Sequence, residues 1–203
     1  MMPPDADWIE LGVAERPFGG AAPSGDAPIL ALHPSGILVG AADGLGHGPE
    51  AAAAVNELVE ACASHAGSAV TSVISQCHEA LRGTRGAAVS LAAFDHGRHR
   101  AEWAGVGNVE AVLVPAREGQ KRAYLIPGNG VVGYRMPQPK ATALPIEAGD
   151  VLIFATDGIS DRFAEIQPAS LPAQELADFI LDHYGKPDDD ALAVVVRYRG
   201  WPG

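Results

Sequence analysis

Apolar and polar residues alternate from Trp8 to Glu15 (WIELGVAE), the period of two that marks a half-buried strand, and Arg16 to Gly20 then turn the chain. Two further apolar runs, Pro28 to His33 (PILALH) and Gly36 to Ala42 (GILVGAA), are separated only by Pro34-Ser35, which predicts a hairpin. The pattern changes to the helical period over Pro49 to His65, with Ala52, Val55, Val59 and Cys62 on one stripe, and a second helix is expected from about Ser68 to Arg82. Ala87 to Asp95, Ala101 to Gly107 and Val109 to Pro115 read as a meander of strands turning at His96-Gly97-Arg98 and at Gly107-Asn108. After a strand over Arg122 to Ile126, the four Pro and three Gly of Pro127 to Pro145 predict a loop with room for one short strand. Asp150 to Thr156 (DVLIFAT) is the strongest buried-strand signal in the chain. A short helix from Ile159, a longer one from about Pro172 to Tyr184 and a strand over Ala191 to Arg199 (ALAVVVRYR) complete the pattern. Strands, paired helices, strands, then helices and a strand are the order of an α+β layered sandwich. A length of 203 residues with 47% hydrophobic content suits one domain over residues 1–203.

Charge narrows the function classes. The formal charge of −11, from 25 acidic against 14 basic residues, opposes non-specific nucleic-acid binding and favours cations or basic partners. Cys62 and Cys77 lie in two predicted helices without a CxxC pair, which reads as two buried, reduced thiols in a reducing compartment. The opening MMPPDADWIE has neither a basic nor an apolar leader region, and no run of about twenty apolar residues occurs, so a cytoplasmic protein without a membrane span is expected.

The candidate chemistry lies where strands end. Gly36 to Ala42 runs into Asp43-Gly44-Leu45-Gly46-His47-Gly48, a glycine-rich turn that opens the helix at Pro49. A carboxylate at that strand end repels a diphosphate but holds a divalent cation, with a neighbouring backbone carbonyl as a further ligand. Antiparallel strands return to where they began, so the hairpin brings Asp26 to the same sheet edge as Asp43. Asp157 and one of Asp188 to Asp190 also lie beside strand ends. Four carboxylates on one edge repel one another strongly unless cations neutralise them, and hard oxygen donors without His or Cys suit Mg2+ or Mn2+. Two such ions about 3.5 to 4 Å apart are a common device for hydrolysing a phosphoester.

SGD at Ser24 to Asp26, DGLGHG at Asp43 to Gly48, TDG at Thr156 to Gly158 and the pair Asp189-Asp190 before a valine-rich strand together resemble the metal-dependent phosphatases of the protein phosphatase 2C superfamily, in its SpoIIE-like branch. GVGN at Gly105 to Asn108 and GNGVVG at Gly128 to Gly133, with the short length, resemble the RsbX-type phosphatases that reset stressosomes. The resemblance implies a four-layer αββα sandwich of two antiparallel sheets flanked by helices. It implies a serine/threonine protein phosphatase with two Mn2+ or Mg2+ ions, in which a metal-activated water attacks phosphorus without a phosphoenzyme. Asp43 would bridge both ions, Gly44 would add its carbonyl, Asp157 and Asp189 would bind one ion, with Asp190 as the fallback, and Asp26 would join through water. The implied partner is a phosphorylated protein of the stressosome-scaffold or anti-sigma-antagonist type. Where that family has Thr or Ser after the DD pair and one spacer, this chain has Leu192, which removes a local hydrogen bond.

Other residues have plainer readings. His47 is a general acid or a loop-ordering side chain, the latter preferred between flanking glycines. Arg16 and Arg135 are candidates for contact with substrate phosphate, or solvated arginines. Asn108 is a functional residue of a glycine turn or a left-handed turn residue, the latter preferred, and the remaining histidines show no ligand spacing. Two competing classes stand beside the phosphatase: a non-catalytic docking domain of the same fold, and a nucleotide-binding α/β module suggested by glycines between strand and helix. The second needs a parallel strand after the helix, where this chain enters another helix.

Overall fold

The run Gly36 to Ala42 does not alternate because it is covered on both sides. In the computed structural model, which describes residues 8–20, 23–168 and 171–201, strand β3 (Gly36–Gly44) is buried along nearly its whole length. Ile37, Val39 and Ala41 face a second sheet, while Leu38 and Ala42 face helices. A strand covered on both faces reads as a continuous apolar run.

β3 sits between β2 (Asp26–His33) and β4 (Ala87–Asp95), and β5 (Arg100–Val106) and β8 (Thr142–Ala143) complete an antiparallel sheet in the order β2-β3-β4-β5-β8. The other sheet holds β1 (Ile9–Arg16), β6 (Glu110–Val114), β7 (Ala123–Leu125), β9 (Val151–Ala155) and β10 (Ala191–Tyr198) in the order β1-β10-β9-β6-β7, also antiparallel. Phe94 and Trp103 of one sheet pack with Leu152, Phe154, Leu192 and Val194 of the other in the central core. Helices α1 (Pro49–His65) and α2 (Val70–Ala80) cover the first sheet, and α3 (Ala173–Tyr184) with the 3-10 turn Asp161–Glu165 covers the second. The layers are therefore α, β, β, α. No parallel βαβ unit follows β3 among the described residues, which removes the nucleotide-binding reading.

Two details depart from expectation. The strands from Ala87 to Pro115 are not one meander: β5 pairs with β4, but at Gly107-Asn108 the chain leaves that sheet, and β6 pairs with β9 and β7. The reason is burial, since Ala111 and Leu113 face the central core and Val112 and Val114 face the α3 side, which only an interior position in the second sheet provides. On α1 the buried stripe takes in Ala52, Val55 and Cys62 as expected but runs also through Ala51, Ala54 and Leu58, with Val59 only half-buried at its border. Cys62 and Cys77 are free and fully buried, their sulfurs 3.5 Å apart between α1 and α2. Among the described residues no helix is long and apolar enough to cross a membrane. The opening residues 1–7, read above for a leader, lie outside the described residues.

Candidate active site

The hairpin register makes Asp26 and Asp43 direct cross-strand partners, so one sheet delivers two carboxylates to its edge. Asp26 is buried at 6% exposure, and the Thr156 hydroxyl, at the end of β9 in the other sheet, donates to its Oδ2 at 2.6 Å. That hydroxyl in turn accepts the Leu192 amide at 3.0 Å, while the Leu192 side chain enters the central core. The polar link expected from a hydroxyl at position 192 is thus carried by Thr156 and the main chain of Leu192.

Asp157, one residue beyond Thr156, faces Asp43 across the seam between the sheets. The side-chain amide of Asn108 joins them, donating to Asp157 Oδ2 at 2.8 Å and to Asp43 Oδ2 at 3.1 Å. Asn108 is not in the left-handed conformation expected for it: Gly107 takes the positive φ of 100°, which frees the asparagine to bridge. The GVGN run pointed to this turn but not to the bridge. These three residues line a cleft of about 440 Å³ with Leu45, Gly46, His47, Asp188 and Asp189. The positive φ of Gly46 and Gly48, 82° and 83°, lets the chain between β3 and α1 form one wall.

The three consecutive aspartates divide their work. Asp190 is buried and its two oxygens accept the backbone amides of Phe18 at 2.7 Å and Gly25 at 2.8 Å, tying the ends of β1 and β2 to the start of β10. Asp188 and Asp189 line the cleft. Gly44 is buried at the end of β3, where its amide donates to the Gly25 carbonyl. His47 lines the cleft and packs its ring on Phe18, centroids 5.7 Å apart.

Neither of the two predicted phosphate-binding arginines is among the residues lining the cleft. The Arg16 guanidinium donates to the Lys186 carbonyl at 2.7 Å, because the end of β1 abuts the segment after α3. Arg135 lines a separate cavity with Asn129, Gly130, Met136 and Pro137. Lys186, which the sequence reading passed over although it stands two residues before the acidic run, donates to the backbone carbonyl of Asp157 at 2.6 Å.

Burial drives the electrostatics. It pushes Asp26 up to about 8, against the pull of the Thr156 hydrogen bond and with the added repulsion of Asp43, Asp190 and Asp157. Burial and the charge of Asp157 push Asp43 up to about 7, against the Asn108 hydrogen bond, and burial followed by Asp157 also raises Asp189. Among the described residues no three carboxylates converge on a ready-made cation position, since the Asn108 amide stands between two of them. The donor set nonetheless fits a hard divalent cation: all oxygen, strongly anionic, with two carboxylates aimed at one shared hydrogen-bond donor.

Asp26 and Asp43 hold their protons more tightly folded than unfolded, so their favourable contribution is complete below about pH 4 and is lost as pH rises through about 7 and 8. Metal-free protein should melt lower at pH 8.5 than at pH 5, and Asp26→Asn should flatten the decline. Manganese at a hundred times its pH 8.5 dissociation constant should add about 2.7 kcal/mol, or about 5 to 10 °C, at pH 8.5, and the same concentration should add less at pH 5. Melting curves with manganese and with chelator that superpose at pH 8.5 would remove the cation from this site.

Comparison with known proteins places the chain among phosphatases. The family model of Stage II sporulation protein E (SpoIIE) matches residues 33–199. Over 140 residues, 67% of each chain, the sequence is 29% identical to the phosphoserine phosphatase RsbX of Bacillus subtilis strain 168. A chain solved in work on the bacterial stressosome, a modular system adapted to control secondary messenger signalling, superposes with TM-score 0.84 at 29% identity, covering 93% of this chain and 99% of that one. RsbX in complex with magnesium superposes with TM-score 0.84 at 21% identity, covering 95% and 96%.

Proposed function

The chain belongs to the Stage II sporulation protein E family, and from that premise we propose that it is a phosphoprotein phosphatase that hydrolyses phosphoserine and phosphothreonine with two Mn2+ or Mg2+ ions. The observation that carries the reading is the pairing of Asp43 and Asp157, one from each sheet, on a single donor across an acidic cleft. When bound, the cations supply activation of water and neutralisation of phosphate charge. Asp43, Asp157 and Asp189 would hold them, with the carbonyl of Gly44 beside Asp43, while Asp190 braces the site through the Phe18 and Gly25 amides. Asp26 supports Asp43 from the neighbouring strand, oriented by Thr156. Asn108 keeps the two facing carboxylates together, and His47, packed on Phe18, orders the loop that forms one wall. Neither cysteine can serve as a nucleophile, since both are buried between α1 and α2.

Likeness to RsbX and to the stressosome-related chain supports a phosphorylated stressosome or anti-sigma-antagonist protein as substrate, in the cytoplasm. An open cleft suits such a partner, because a small metabolite finds little burial there. The test is phosphate release from phosphoserine, phosphothreonine and phosphotyrosine peptides with manganese, magnesium or chelator. Release from the first two, stopped by chelator, is expected. No release with either metal would leave the chain as a non-catalytic docking domain of this fold.

A further inference from the structure

The positive charge of this chain is concentrated in one place. Arg117 to Lys140 holds five basic residues and one acidic, net +4, whereas the remainder holds nine basic and 24 acidic. Most cations elsewhere are already engaged: Arg82, Arg85, Arg98, Arg100 and Arg199 pair with carboxylates, and Arg16 and Lys186 donate to backbone carbonyls, as Arg122 does within the segment. Arg117, Lys121, Arg135 and Lys140 are exposed, and none of them pairs with a carboxylate among the described residues. Beside them stand large apolar side chains in solvent: Tyr124 at 59%, Ile126 at 84% and Tyr134 at 82% exposure. Tyr124 stands on β7, an edge strand of its sheet, Ile126 follows that strand directly, and Tyr134 lies in the loop beyond it.

This face adjoins the cleft. Gly128 accepts the Gly107 amide and donates to the Gly105 carbonyl, both at 2.9 Å, so the segment is clamped to the turn that carries Asn108 into the site. Its second half folds back on the first, with the Val131 amide donating to the Arg135 carbonyl at 2.7 Å.

Resting on the phosphatase reading, we infer that the β7 edge and the loop to Lys140 form a docking surface for an acidic stretch of the phosphoprotein substrate, flanking its phosphorylated residue. Unpaired cations supply the attraction, and the exposed tyrosines and Ile126 supply apolar area that water now covers. The surface compensates for a chain that otherwise repels acidic partners. A continuous polyanion such as nucleic acid would meet that repulsion on every other side.

The experiment uses two 15-residue phosphoserine peptides, identical except that four glutamates in one are glutamines in the other. Fully extended, such a peptide spans about 50 Å and reaches from the cleft onto this surface. Wild-type protein with manganese should show kcat/KM about tenfold higher for the acidic peptide at 50 mM salt, and the ratio should approach one at 500 mM. The double variant Lys121→Glu/Lys140→Glu should bring the ratio to one or below at low salt. Arg98→Glu/Arg100→Glu, at the opposite end of β5, should preserve it. Equal hydrolysis of both peptides by wild type, or a ratio unmoved by the first double variant, overturns the docking surface and leaves the phosphatase standing. No hydrolysis of either peptide overturns both. Tighter binding of a single-stranded DNA oligonucleotide than of the acidic peptide, lost in the same variant, also overturns it.

Discussion

Replacing Asp43 or Asp157 by alanine is expected to lower kcat on a phosphoserine peptide by at least about a thousandfold, about 4 kcal/mol in the barrier, in a domain that still folds. Each carboxylate comes from a different sheet and each is held by Asn108, so losing either leaves a cation with one wall of its site. The stability of the metal-free protein should move the opposite way. Asp43 is forced toward neutrality by burial and by Asp157, and removing that strained charge with Asp43→Asn should raise the melting temperature at pH 8 while abolishing the manganese shift. Activity lost and metal-free stability gained distinguish a functional carboxylate from a structural one, whose loss would lower both. Wild-type turnover by either alanine variant with manganese present would place the chemistry elsewhere.

Gly158→Ala should damage stability and metal binding together through a single added methyl group. A β-carbon there would lie 1.8 Å from the Asp190 carbonyl oxygen and 3.0 Å from Ala191 Cα, backbone atoms that cannot turn aside. The turn after β9 must then separate from the start of β10, at a cost of about 3 kcal/mol, or about 6 to 12 °C in melting temperature. Because Asp157 and Asp189 sit on the two segments being pushed apart, manganese affinity should weaken together with stability. A variant melting within 1 °C of wild type, with unchanged manganese binding, would contradict this close approach.

Sequence periodicity located nearly every element because interior strands such as β3 and β9 are bounded by Gly and Asp, and their apolar runs are short and unbroken. The pairing of Asp26 with Asp43 was legible for a simple reason: a two-residue turn leaves the hairpin one register. The departure of β6 into the other sheet was not, because alternation says that a strand has two faces and not which neighbours it has. Asn108 was misread for a related reason. In a glycine turn an asparagine signals backbone conformation, and only the distant arrival of Asp43 and Asp157 gives its side chain a task. Similarly, nothing local distinguishes Asp189 from Asp190; what separates them is that the Phe18 and Gly25 amides claim one of the two.

The split origin of the carboxylates makes the cleft a gauge of the spacing between the two sheets. Asp26 and Asp43 travel with the layer that carries α1 and α2, Asp157 and Asp189 with the layer that carries α3, and the gap between them is filled by Phe94, Trp103, Leu152, Phe154 and Leu192. A packed interior passes on a change of one methylene without absorbing it. Thickening or thinning that filling therefore alters the reach from one carboxylate to the other, although no residue at the rim has changed. A core substitution that the fold tolerates can therefore still be one that shifts the facing carboxylates out of reach of each other.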